Sequence, residues 1–96
     1  MNGINANWDV LLEAARGLIR NGEALNDIVN TINGDVISTQ DAWQGQASQA
    51  YQEQWVTILP QFLQAAENIV IMGTQINNYV SAQQQLEDEA KNTYTG

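Results

Sequence analysis

Hydrophobic residues recur at alternating steps of four and three along almost the whole chain, and this spacing restricts the fold more than any other feature. In the first half, Ile4, Trp8, Leu11, Ala15, Leu18, Gly22, Leu25, Val29, Ile32 and Val36 keep that rhythm without a break. A seam with a period of about 3.5 residues marks a helix that packs lengthwise against another helix. Leu12, Ile19 and Ile28 widen the stripe, while Glu13, Arg20, Asn26, Asp27 and Asn30 fall off it. The spacing predicts a first helix over about residues 7–38, with Asn5 or Asn7 as its N-cap and Asp9 favourable in the first turn. Gly34 inside that helix is a weak point, costing about 1 kcal/mol against Ala.

The second half repeats the pattern through Tyr51, Trp55, Ile58, Phe62, Ala65, Ile69, Met72, Ile76, Tyr79, Gln83, Leu86 and Ala90. Leu59, Ala66, Gly73 and Val80 broaden the stripe to the width a bundle needs. A second helix is expected over about residues 46–88, followed by a flexible tail over about 89–96. Pro60 conflicts with it, because a proline inside a helix loses a hydrogen bond and crowds the preceding turn. The seam stays in phase from Ile58 to Phe62, so a kink at Pro60 is expected; the other outcome is two shorter helices meeting at Leu59-Pro60.

A turn over about residues 39–46 leaves room only for an antiparallel arrangement, so the expected fold is all-α, one helical-hairpin domain over residues 1–96. Gly45 permits a positive φ there, and Trp43 is expected to plug the end of the seam with its indole N–H on a carbonyl. Two helices bury only one strip each. A lone hairpin is expected to leave part of Trp8, Leu12, Ile19, Leu59, Met72 and Val80 in water, which predicts a second hairpin and a four-helix-bundle dimer, with Trp8, Leu11, Leu18, Leu25, Ile32, Tyr51, Trp55, Ile58, Phe62, Ile69, Met72 and Ile76 as the dimer and hairpin seam.

Composition narrows the function classes. With 3 basic against 11 acidic residues the net charge is −8, which disfavours nucleic acid and anionic membranes as partners. The absence of Cys and His removes thiolate and imidazole chemistry, so neither catalysis, a metal site nor a cofactor is expected. The longest aliphatic run, Ile69-Val70-Ile71-Met72, is too short for stable membrane insertion. The first residues lack the basic and apolar segments of a cleaved signal peptide. The run Glu87-Asp88-Glu89 points in diverging directions on a helix and reads as a solvated end. Arg16 and Arg20 stand three residues from Glu13 and Glu23 respectively, the spacing of surface charge pairs; a partner-recognition role is the other reading.

Trp43-Gln44-Gly45 between two helices, followed by Ala47, Ala50, Tyr51 and Trp55 in an acidic, cysteine-free chain, resembles the WXG family of ESAT-like substrates of bacterial type VII (ESX or Ess) secretion. The resemblance covers essentially the whole chain. It implies export of a folded helical dimer without a cleaved signal peptide, from the cytoplasm to the outside, and a virulence-associated role through protein–protein interaction. It also implies recognition by a hexameric FtsK/SpoIIIE-type ATPase that reads the Trp-X-Gly turn of one chain with a C-terminal Tyr-x-x-x-Asp/Glu motif of its mate. Trp43 and Gly45 match the first element. The second is degenerate: Tyr79 is followed four residues on by Gln83, although Leu86 and Ala90 keep the apolar spacing. The partners implied are itself or a similar WXG chain, the ATPase and a larger secreted toxin. The alternative function is a cytoplasmic chaperone or adaptor of such a toxin.

Overall fold

The computed structural model describes residues 7–95, with side chains described as far as Asn92; Ile4 and Asn5, named above, lie outside the described residues. Two helices make up the fold: α1 over Trp8–Ala42 and α2 over Gln46–Thr95. They form the expected all-α hairpin, 76 Å long and 18 by 16 Å across. That length matches a straight helix of 50 residues at about 1.5 Å each.

Local chemistry explains where the helices start and continue. Asn7 caps α1, its Oδ1 accepting a hydrogen bond from the Val10 N–H at 3.2 Å, and Asp9 follows in the first turn. At the far end α1 runs on to Ala42, past the expected limit near 38. Ser38 and Thr39 are accommodated because their hydroxyls donate to the carbonyls of Asp35 and Val36 three residues back. The helix also passes through Gly34. α2 passes through Pro60, which deprives the Val56 carbonyl of its usual donor. Val56 is well exposed.

The chain beyond residue 88, expected as a flexible tail, is instead helical as far as Thr95. Gln85 Nε2 donates to Glu89 Oε1 at 3.4 Å, an i,i+4 tie that supports this last stretch. The surface pairs expected for Arg16 and Arg20 do not close: no ion pair joins Glu13 to Arg16 or Arg20 to Glu23.

The buried line is made of small residues. In α1 it comprises Ala15, Gly22, Val29 and Val36, one every seven positions. In α2 it comprises Ala66, Gly73 and Val80, again seven apart. Glycine allows this approach at two crossing points. A Cβ added to Gly73 would stand 2.7 Å from the Ala15 carbonyl oxygen, and one added to Gly22 would stand 2.9 Å from that of Ala66. Backbone thus meets backbone where heptad spacing places the smallest side chains.

This arrangement corrects the expected seam of α2 by one residue. Ala66, Gly73 and Val80 face α1 in place of Ala65, Met72 and Tyr79. Met72 is 51% exposed and Tyr79 47%. Phe62, Tyr51 and Ile32 are also exposed, whereas Trp8, Leu11, Leu18, Leu25, Trp55, Ile58, Ile69 and Ile76 are half-buried. The aromatic residues are therefore not a closed core. Close approach along the small residues pushes the larger ones to the side of the contact.

The side to which they are pushed is the same in both helices. In an antiparallel pair of right-handed helices, positions three after a buried residue fall on one flank, and positions four after fall on the other. The first flank carries Leu18, Leu25 and Ile32 with Phe62, Ile69 and Ile76, and beside them Ile28, Ile58, Met72 and Tyr79. Asp35 is the only charged residue among those positions between residues 7 and 90. The second flank mixes amides with apolar residues: Asn26, Asn33, Gln40, Asn77 and Gln84 alternate with Leu12, Ile19, Leu63 and Val70.

Candidate functional site

The connection between the helices is Trp43, Gln44 and Gly45 and nothing more, shorter than the turn expected over 39–46. Trp43 ends α1 in extended backbone, with φ −140° and ψ 113°, while its N–H still donates to the Thr39 carbonyl at 2.9 Å. Gly45 then turns the chain at φ 117°, a region costly for any residue with a Cβ. Its carbonyl accepts from the Gln49 N–H at 3.1 Å and so opens α2. The Trp-Gln-Gly sequence is thus the reversal itself.

Trp43 does not plug the bundle. Its ring lies against Tyr51, centroids 5.4 Å apart and tilted by 47°. The side chain is 43% exposed. Among the described residues the Trp43 indole has no hydrogen-bond acceptor, whereas Trp55 Nε1 donates to the Asn33 side-chain Oδ1 at 2.9 Å. Behind the turn, Gln52 Nε2 donates to the Val36 carbonyl at 3.2 Å and to Thr39 Oγ1 at 3.0 Å. These contacts between helices hold the register next to the turn, and polar residues made them hard to foresee from hydrophobic spacing. An open recess of 660 Å³ lies beside Trp43, bordered by Gln40, Ser48 and Glu53.

The degenerate C-terminal element lies at the other end. Tyr79 packs edge-on against Trp8, with centroids 6.4 Å apart. Gln83 is half-buried, while Leu86 and Ala90 are exposed. With Ala15 opposite Gly73, α2 projects roughly 15 residues past the level of Trp8, about 20 Å of helix. Leu86 and Ala90 fall on this projection. Within one chain Gly45 and Tyr79 are roughly 50 Å apart along α2. A single hairpin does not bring its two ends together.

Gly73 is the position that hydrophobic counting undervalued, since it adds no apolar area, whereas Gly22 already stood in the α1 seam. Its sevenfold spacing from Ala66 and Val80 is the signal that identifies Gly73. Among the described residues no group of three or more Asp or Glu is arranged to hold a metal ion. No helix of the described residues is long and apolar enough to cross a membrane.

A small all-helical hairpin whose reversal is a Trp-X-Gly tripeptide defines a recognisable class. A family model described as "Proteins of 100 residues with WXG" matches residues 3–92, and the chain belongs to that family. It is accordingly an ESAT-like, type VII-associated small helical protein, of a family whose members pair with similar chains. Neither curated proteins nor solved structures give a match to the chain.

Proposed function

We propose that this chain is exported through a type VII secretion system as a folded helical dimer and acts through protein–protein contact. The observation that carries this reading is the half-exposed Trp43 at the three-residue reversal, presented outward and steadied by Tyr51. A side chain held this way is available to a receptor, and its removal leaves the buried line of small residues intact. The apolar flank supports the dimer. It carries large side chains over most of the hairpin's length and almost no charge, so burying it against a second hairpin desolvates few ions. Antiparallel pairing would also set the Trp43 end of one chain beside the Tyr79 end of its mate, overcoming the separation within each hairpin. The mate is a second copy or a similar WXG chain, and the receptor is an FtsK/SpoIIIE-type ATPase.

Gln83 favours a second reading. It keeps one acceptor of a carboxylate but not the charge that an arginine pocket binds most strongly. A chain with this residue is then exported with a mate that carries the acid, or stays in the cytoplasm as chaperone or adaptor of a larger toxin. The test compares culture medium and cells with and without an active ATPase. ATPase-dependent appearance of the chain in the medium supports export. Recovery only in the cytosol, bound to a larger helical protein, supports the adaptor reading.

A further inference from the structure

The second flank contains a groove that neither the reversal nor the first flank accounts for. It has a volume of 840 Å³ and runs between α1 and α2 around Gly22 and Pro60. Its existence follows from small side chains: Gly22 and Ala66 bring the helices close, and short neighbours leave a trough above the contact. Leu63 and Val70 supply an apolar floor. Glu23 and Asp27 stand one turn apart on the α1 rim, with Glu67 on the α2 rim. None of these three carboxylates forms an ion pair with a described residue.

We propose that this trough holds a basic amphipathic helix of another protein, with apolar side chains over Leu63 and Val70 and Lys or Arg against the two acidic rims. The shape suits a helix because the lining follows α2 from Pro60 to Val70, about 15 Å, and the charges suit one because Glu23 and Asp27 match cations spaced by one turn. The occupant is not a second copy. The whole chain has only 3 basic residues, Arg16, Arg20 and Lys91, and no helix face that combines several cations with an apolar stripe. Unlike charges across the interface would also raise the association rate and make binding sensitive to salt. The trough lies on the opposite side from Leu18, Leu25, Phe62 and Ile69, so it stays open in a dimer built on the apolar flank.

The test uses the full chain and a short fluorescein-labelled amphipathic peptide of Leu and Lys, with a Leu–Glu peptide of the same pattern as reference. Binding is read by fluorescence anisotropy and its position by amide chemical-shift changes. The expected result is binding of the Leu–Lys peptide alone, with shifts at residues 22–27 and 60–70. The triple substitution Glu23→Gln, Asp27→Asn, Glu67→Gln should weaken it roughly tenfold. Circular dichroism checks that this triple variant keeps its helices. A control triple, Glu13→Gln, Asp41→Asn, Asp88→Asn, removes the same charge elsewhere and should leave affinity within about twofold. Equal losses in both triples would mean attraction to overall charge only and overturn the proposal. Shifts confined to the apolar flank, or no binding of the Leu–Lys peptide, would overturn it as well.

Discussion

Replacing Gly73 by alanine tests how closely the helices approach, and its outcome depends on two opposed effects. Alanine is the better helix former, worth about 1 kcal/mol at an unhindered interior position. At Gly73, however, the new Cβ would stand 2.7 Å from the Ala15 carbonyl oxygen, 2.8 Å from Ile19 Cγ1 and 3.1 Å from the Ile19 nitrogen. Carbon atoms pack best at about 3.5–4.0 Å, so the helices must part by several tenths of an ångström at least. The Ala15 carbonyl belongs to the helix backbone and has no rotamer through which to escape. Separation loosens the whole line from Ala15 to Val80, the thinnest part of the core, and overpacking of this kind costs about 1–3 kcal/mol. A net loss of roughly 1–2 kcal/mol is expected after the helix-propensity gain. Gly34→Ala is the internal reference, because a Cβ there meets nothing within 4 Å. It should gain about 1 kcal/mol. Urea unfolding followed by helical circular dichroism, at one fixed protein concentration, reads both variants. The pair should lie on opposite sides of the parent chain. If Gly73→Ala is stabilised as much as Gly34→Ala, the close backbone contact is wrong and so is the argument for small residues at the core.

Four other outcomes follow from the same geometry. In the proposed dimer, whose mass is about twice 10.6 kDa, Phe62→Glu or Met72→Glu should leave each chain helical but lower the mass in light scattering toward the monomer value, since both residues lie on the exposed apolar flank. An unchanged mass would remove that flank as the dimer interface. Trp43→Ala should reduce release into the medium far more than it reduces helical content, and parallel losses would make the residue structural only. Trp55→Phe, which removes the 2.9 Å bond to Asn33 Oδ1, should cost about 1 kcal/mol in the same urea titration. Gln83→Glu should increase release of the chain when no mate is co-expressed; no change would place the recognition signal elsewhere on the chain.

Periodicity and a short reversal were enough to determine two long antiparallel helices, because helix formation and chain reversal depend on residues near one another in sequence. The α1 line through Ala15, Gly22, Val29 and Val36 was legible for the same reason. So were the Trp43–Gly45 reversal and the missing acid at position 83, which are local features of the sequence. The facing stripe of α2 was not. Ranking residues by apolar area selected Met72 and Tyr79, whereas their neighbours Gly73 and Val80 are the buried ones, Tyr79 meeting α1 from the side through Trp8. A period of 3.5 residues permits either choice, since adjacent stripes on a wide apolar face repeat equally well. Only the paired helices decide between them. Backbone approach at Ala15 and Ala66 favours the residues that occupy least space, and the large side chains turn to the flanks of the contact. The same approach opens the acidic trough on the second flank, whose rims come from residues some forty positions apart in sequence and become one surface only when the hairpin closes.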